Sequence, residues 1–177
     1  MEAMKAIANR QSCRTYTGEQ LTQKELQTIL EAANASPVSM AKFDEVKLTV
    51  IQNKEFLGRL DKVGADFMGN PDLRPTYGAP TIILVSAIKP SDPQNPSSYC
   101  NAGCIVENMA IAASDLGLGS VYLLGAIAAL RTNAELCADL KVPEEFIPVS
   151  AIALGRSKEP LIERSLTTSK IVTEYLY

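Results

Sequence analysis

The stretch Thr81-Ile82-Ile83-Leu84-Val85 is apolar at nearly every position and rich in β-branched residues. Such a run predicts a strand that is covered on both faces, as in the centre of a sheet flanked by helices. Three further strands are predicted along the chain at residues 46–51, 120–124 and 146–154, and the last of them closes at Gly155. The predicted sheet therefore contains strands that precede the central run in sequence and strands that follow it.

Helical periodicity separates these strands. Apolar residues recur at helical spacing in five segments, at residues 2–9, 23–35, 54–68, 99–116 and 132–140. Thr22 and Glu25 have the spacing of a capping box before the second helix, and Pro37 limits its far end. Residues 90–98 are rich in Pro, Ser, Asp and Asn and are predicted to form a loop. We therefore predict an α+β fold, with a mixed central β-sheet flanked by helices.

The C-terminal segment, residues 156–177, has strand-like residues but no clear helical period. It ends in Val172-Thr173-Glu174-Tyr175-Leu176-Tyr177, which is too apolar to remain free in water. We expect this C-terminal arm to extend onto a partner subunit.

Composition limits the class of protein. The chain has 177 residues, of which 46% are hydrophobic and 21% charged, so residues 1–177 are predicted to form a single globular domain. Seventeen basic and twenty acidic residues give a net charge of −3, which argues against nucleic acid as a partner. The longest apolar run, residues 121–130, is too short to span a membrane, and the first ten residues lack a secretion signal. A cytoplasmic location without membrane association is expected.

The chain contains no histidine. Ser-His-Asp and Cys-His catalytic sites and His-ligated metal sites are therefore excluded. An enzyme with this sequence must perturb a Cys, Lys, Glu or Tyr, or leave the chemistry to a cofactor. The four cysteines are predicted to be reduced thiols, with Cys100 and Cys104 as small buried residues of a helix, and no metal site is expected.

The densest polar motif is Arg10-Gln11-Ser12-Cys13-Arg14-Thr15-Tyr16, between the first two helices. Two guanidinium groups and a hydroxyl are suited to clamp a phosphate, although a solvated basic connector explains the same residues. Gly117-Leu118-Gly119 follows a helix and precedes a strand, which is the reverse of a dinucleotide-binding fingerprint. These glycines are predicted to end the helix.

Four segments, in this order, resemble the FMN-dependent nitroreductase family. They are the Arg10–Tyr16 motif, Ala32-Ala33-Asn34-Ala35-Ser36-Pro37-Val38-Ser39, Glu107-Asn108-Met109-Ala110-Ile111-Ala112-Ala113 with Leu116-Gly117-Leu118-Gly119-Ser120, and Ala151-Ile152-Ala153-Leu154-Gly155. The resemblance implies a homodimer with two FMN sites at the subunit interface. It also implies an oxidoreductase that takes hydride from NAD(P)H onto the flavin N5 and passes electrons to a nitroaromatic, quinone or similar small acceptor.

The resemblance assigns the site residues in three groups. Arg10, Gln11, Ser12 and Arg14 would hold the phosphate, ribityl chain and pyrimidine end of FMN. Pro37, Val38 and Ser39 would line the ring system from the other subunit. Leu124 and Gly125 would present backbone groups near N5, while Gly155 and Arg156 would close over the phosphate. Lys158 and Arg164 are further candidates for the phosphate. No side chain is assigned as catalytic, because the flavin carries the chemistry.

Two other functions stay open on the sequence alone. Met40-Ala41-Lys42 stands where much of the family has an Asn, which is compatible with a flavin-binding module that lacks NAD(P)H dehydrogenase activity. A thiol enzyme acting through Cys13 is the other alternative, since neighbouring arginines lower the pKa of a thiol.

Overall fold

The computed structural model describes residues 2–92 and 94–177. Within them the chain forms six α-helices and four β-strands. In chain order these are α1 (Ala3–Asn9), α2 (Gln23–Asn34), β1 (Val46–Ile51), α3 (Lys54–Phe67), β2 (Thr81–Ile88), α4 (Ser97–Asp115), β3 (Gly119–Leu123), α5 (Gly125–Arg131), α6 (Ala134–Asp139) and β4 (Phe146–Gly155). Two short 3₁₀ turns, Ser39–Ala41 and Phe43–Glu45, lie between α2 and β1.

The four strands form one sheet in the order β1-β2-β4-β3, and the three pairings are antiparallel. An isolated parallel bridge between Ser12 and Ser120 adds the segment after α1 to the outer edge of β3. β2 is buried from Thr81 to Ala87, as its composition predicts. The predicted α+β class, with a central sheet flanked by helices, is therefore confirmed.

One apolar core lies on each face of the sheet. Residues of α3, α5 and α6 cover one face, where Leu60, Ile127 and Leu130 are almost completely buried. Residues of α2 and α4 cover the other face, where Ile29 and Met109 are fully buried. Because helices cover both faces of β2, its sequence is almost continuously apolar and does not alternate between apolar and polar residues.

The predicted capping box starts α2. Thr22 Oγ1 accepts a hydrogen bond from the Glu25 backbone N–H at 3.2 Å, and Glu25 Oε2 accepts one from the Thr22 backbone N–H at 2.8 Å. Both bonds satisfy amide groups that would otherwise lack a partner at the start of the helix.

Two predictions about helices are wrong. No helix was predicted between β3 and α6, yet α5 occupies Gly125–Arg131, because a short and fully apolar run does not distinguish a buried helix from a strand. Cys100 and Cys104 are exposed instead of buried. The buried face of α4 passes through Ala102, Ile105 and Met109, and Cys100 and Cys104 lie outside it.

The predicted helix end at Gly117 is confirmed. Gly117 has a φ of +72°, and the Leu118 backbone N–H donates to the Ala113 carbonyl at 2.8 Å across it. A left-handed glycine after the last helical turn is a common way to end a helix.

The first part of the C-terminal arm packs against the N-terminal segment, and the last part is exposed. The Lys158 backbone N–H donates to the Thr15 carbonyl, and the Arg164 backbone N–H donates to the Ala8 carbonyl. Further along, Val172 and Leu176 are 89% and 103% exposed. No helix of the described residues is long and apolar enough to cross a membrane.

Candidate functional site

The Arg10–Arg14 segment lies along the outer edge of β3. Ser12 forms a parallel bridge with Ser120, and the Cys13 backbone N–H donates to the Ser120 carbonyl at 2.9 Å. Because the backbone is extended here, successive side chains alternate. Cys13 therefore points into the core, while Ser12 and Arg14 are exposed on the other side.

Cys13 is poorly placed for a nucleophile. It is 5% exposed, and its Sγ lies 3.2 Å from the Thr15 carbonyl, to which it donates. A Cβ at Gly119 would approach the Cys13 Sγ to 2.7 Å, so the thiol is packed directly against β3. A reactive cysteine requires access to its substrate, which this packing denies. The structure therefore disfavours a thiol enzyme acting through Cys13.

Arg10 follows the last residue of α1, and its side chain is 25% exposed. Its Nε lies 3.6 Å from Glu107 Oε1, in an ion pair whose carboxylate is 55% exposed. An exposed pair at this distance contributes little to stability. The guanidinium therefore keeps donors available for an anionic ligand.

Arg14 is held by an aromatic ring that sequence analysis missed. Its guanidinium carbon lies 5.7 Å from the centre of the Tyr77 ring. Tyr77 and Gly78 both have positive φ values, +57° and +68°, in a tight turn just before β2. This turn presents the tyrosine ring to Arg14, and the resulting cation–π contact limits where the guanidinium can lie.

Gln11 and Arg164 attach the C-terminal arm to α1. Gln11 Nε2 donates to the Ile162 carbonyl at 3.1 Å. Arg164 donates from Nη2 to the Ile7 carbonyl at 2.8 Å and from Nε to the Ala8 carbonyl at 3.2 Å. A cation that caps the carbonyl end of a helix also interacts favourably with the helix dipole.

Arg156 is occupied by two carboxylates. Its Nε donates to Glu19 Oε1 at 2.9 Å, and its Nη2 donates to Glu25 Oε1 at 3.0 Å. The pKa of Glu25 is lowered, first by the Thr22 backbone N–H and then by the Thr22 hydroxyl and Arg156. Arg156 therefore ties the start of α2 to the end of β4 in this structure.

Gly155 lies where three chain segments meet. A Cβ there would come within 2.7 Å of Pro80 Cδ and 2.9 Å of Tyr16 Cδ1, so only glycine allows this approach. The Tyr16 hydroxyl donates to the Cys13 carbonyl at 2.9 Å. Burial, followed by the effect of Cys13, raises the pKa of Tyr16 well above its ordinary value, so this hydroxyl remains a neutral donor.

Leu124 and Gly125 join β3 to α5. Leu124 is 61% exposed and immediately precedes α5, without a capping hydrogen bond from its side chain. The Met68 methyl group occupies the space that a Cβ at Gly125 would need, so Met68 packs directly against this backbone and only glycine fits here. Met68, like Tyr77, contacts a candidate site residue and was not predicted from the sequence.

Pro37, Val38 and Ser39 lie on the α4 side of the molecule. The Ser39 backbone N–H donates to Asn101 Oδ1 at 2.9 Å, whereas Arg10 contacts Glu107 further along the same helix. Six residues of α-helix correspond to a rise of about 9 Å. Within one chain, the structure therefore does not bring Ser39 and Arg10 into contact.

The comparisons with known proteins agree with this arrangement of elements. The sequence model described as "Nitroreductase family" matches residues 7–76 and 68–156. The FMN reductase [NAD(P)H] of Bacillus subtilis is 28% identical over 173 residues, which cover 87% of this chain and 65% of that protein.

Solved structures show the same fold. A nitroreductase with bound FMN from Desulfitobacterium hafniense aligns with a TM-score of 0.84 at 24% identity, over 99% of this chain and 100% of that one. A nitroreductase with bound FMN from Bacteroides fragilis aligns with a TM-score of 0.81, also at 24% identity and with the same coverage. Because the family model covers most of the chain, and the fold agrees, the protein belongs to the nitroreductase family.

Proposed function

We propose that the protein is an FMN-dependent oxidoreductase that takes hydride from NAD(P)H and reduces a nitroaromatic, quinone or similar small acceptor. Family membership supports this proposal, as do the name of the Bacillus subtilis relative and the FMN in the two similar structures. The observation that carries it is the Arg10–Arg14 segment, which presents Ser12 and Arg14 outward along the free edge of β3.

The donors present fit the two ends of FMN. Arg10 and Ser12 offer charged and neutral donors for a phosphate, near the start of β3. Leu124 follows the far end of that strand, four residues beyond Ser120. At about 3.3 Å per residue, this distance is about 13 Å, which suits a cofactor with a phosphate at one end and a ring system at the other.

Each residue has a defined role in this proposal. Arg10 and Ser12 bind the phosphate and ribityl chain, with Gln11 beside them. Arg14, held against Tyr77, places a positive charge at the pyrimidine end, where negative charge accumulates on reduction. Leu124 and Gly125 present backbone groups to the N5 region. FMN bound there would accept hydride from NAD(P)H and pass electrons to the acceptor.

The second half of the site is proposed to come from another copy of the chain. Pro37, Val38 and Ser39 lie away from Arg10 within one subunit, so they line the same ring only across a homodimer interface. The C-terminal arm supports this arrangement, because Val172 and Leu176 are almost fully exposed on a single chain. Burying such side chains against a second subunit is strongly favourable.

Gly155 and Arg156 remain proposed contacts to the phosphate. Gly155 allows the chain to pass close to Tyr16 and Pro80, beside the Arg10–Arg14 segment. The Nε and Nη2 groups of Arg156 donate to Glu19 and Glu25. Arg156 can therefore bind the phosphate only if it breaks one of these hydrogen bonds. Arg164 donates to the Ile7 and Ala8 carbonyls of α1, so it would have to give up these bonds to bind the phosphate.

The proposal is tested by anaerobic titration of the FMN-loaded protein. NADH or NADPH should bleach the oxidised flavin absorbance, and addition of a quinone should restore it. A protein that binds no FMN would refute the proposal. Flavin that neither nucleotide bleaches would instead establish the flavin-binding module, an alternative favoured by the 84% exposure of Met40 in place of a polar residue.

A further inference from the structure

A cavity lies behind the turn that carries Tyr77. Its volume is about 490 Å³, within the range of small-molecule sites. One face of α3 and the residues preceding β2 line it, and we call it the α3 cavity. The residues that matter for its chemistry are Gln52, Lys54, Gly58, Asp61, Arg74 and Thr76.

The α3 face of the cavity is set by helical spacing. Lys54, Gly58 and Asp61 are separated by four and three residues, so they lie on one side of the helix. A Cβ at Gly58 would meet no atom within 4 Å, because the space beyond this residue is open. The cavity thus extends to the backbone of α3 at its centre.

The cavity is lined by two basic side chains, Lys54 and Arg74, and one acidic side chain, Asp61. Neither Lys54 nor Arg74 forms an ion pair with any of the described residues. Lys54 is also the first residue of α3, where the helix dipole favours an anion. These features together suit a doubly charged group such as a phosphate monoester.

An acidic side chain, Asp61, and a hydroxyl-bearing residue, Thr76, line the same cavity. Asp61 Oδ1 accepts a hydrogen bond from the Thr76 backbone N–H at 2.9 Å, and its carboxylate disfavours a ligand that is anionic throughout. Thr76 is 1% exposed, yet its Oγ1 has no hydrogen-bond partner within the described part of the chain. This hydroxyl is enclosed by protein, so binding in the cavity depends on the basic side chains and not on Thr76 Oγ1.

We infer that the α3 cavity binds a ribose phosphate monoester of a nucleotide. Lys54 and Arg74 would bind the phosphate, while Asp61 and the Gln52 side chain would accept hydrogen bonds from the ribose hydroxyls. Two sources share this chemistry: the 2′-phosphoadenosine half of NADPH and a separate nucleotide. The first source rests on the proposed function, and Tyr77 links the two sites because its neighbours line the cavity while its ring contacts Arg14.

Calorimetric titration of the FMN-loaded dimer or the free chain with 2′-AMP and 5′-AMP tests the binding directly. Arg74→Gln and Lys54→Gln should each weaken the binding of the phosphate about tenfold, which corresponds to about 1.4 kcal/mol. Gly58→Leu should abolish binding by filling the cavity, with its folding checked by thermal melting. Lys24→Gln, which removes a lysine from the first turn of α2, should leave the affinity unchanged.

Kinetics with NADPH and NADH identify the source. If NADPH is the ligand, Arg74→Gln raises KM for NADPH about tenfold and leaves KM for NADH unchanged. If 5′-AMP binds and neither KM changes, the ligand is a separate nucleotide. Absence of binding by both nucleotides, or binding that Arg74→Gln and Gly58→Leu leave intact, overturns the inference. Because calorimetry needs no turnover, failure of the oxidoreductase activity is recognised separately.

Discussion

Replacing Arg10 with alanine tests the phosphate end of the proposed FMN site. Only Nε of Arg10 faces Glu107, and no partner is found for either Nη group within the described residues. These donors are therefore available for a phosphate, and a charge-assisted hydrogen bond contributes about 1.5–3 kcal/mol. With about 1.4 kcal/mol for each factor of ten, Arg10→Ala should raise the Kd for FMN about 10- to 150-fold.

The assay is a fluorescence titration of FMN into flavin-free protein, with Lys5→Ala as the matched control. Lys5 is an exposed cation of α1, so its removal changes the net charge equally without touching the proposed phosphate contact. Raising the ionic strength should weaken FMN binding to the wild type more than to Arg10→Ala. The reasoning is refuted if Arg10→Ala and Lys5→Ala bind FMN with the same affinity as the wild type.

The remaining predictions concern the framework that holds the site. Thr22→Ala should lower the free energy of unfolding by about 1 kcal/mol in urea denaturation, because the capping box is lost; an unchanged midpoint would contradict this. Gly155→Ala should cost about 1–3 kcal/mol through overpacking against Pro80 and Tyr16, whereas Gly103→Ala, in open space on α4, should be neutral or stabilising by thermal melting. Folding lowers the pKa of Glu25 below its ordinary value of about 4.5, so ionised Glu25 stabilises the folded protein at pH values above 4.5. This contribution is lost as the pH falls through the lowered pKa of the folded state. Glu25→Gln should therefore be less stable than the wild type near neutral pH and approach it in acid; a difference that persists in strong acid would oppose this assignment.

The elements that sequence analysis predicts well are those with local signals. The central run at β2, the capping box at Thr22 and the terminating glycine at Gly117 each depend on residues close together in the chain. Side-chain periodicity and capping act within a few residues, so they can be recognised without tertiary contacts.

The errors arise where tertiary packing decides. The apolar run that contains α5 has no polar side to show a helical period, because Ala126, Ile127 and Leu130 are all buried. On α4, small residues on several sides obscure which face meets the sheet, so Cys100 and Cys104 are wrongly predicted to be buried.

The site shows the same division. The Arg10–Arg14 motif is visible as a cluster of donors in sequence, but its attachment to β3 is not. The contact of Arg14 with Tyr77 joins residues far apart in the chain, so it could not be predicted from the sequence of either segment. The Arg156 ion pairs with Glu19 and Glu25 likewise require the folded chain.

A crystal structure of the protein grown with FMN addresses the central claim most directly. The proposal predicts a phosphate within hydrogen-bond distance of Arg10 and Ser12, and a ring system between Leu124 and the Pro37–Ser39 segment of a second copy. FMN bound away from the Arg10–Arg14 segment, or a ring system contacted by one chain alone, would contradict it.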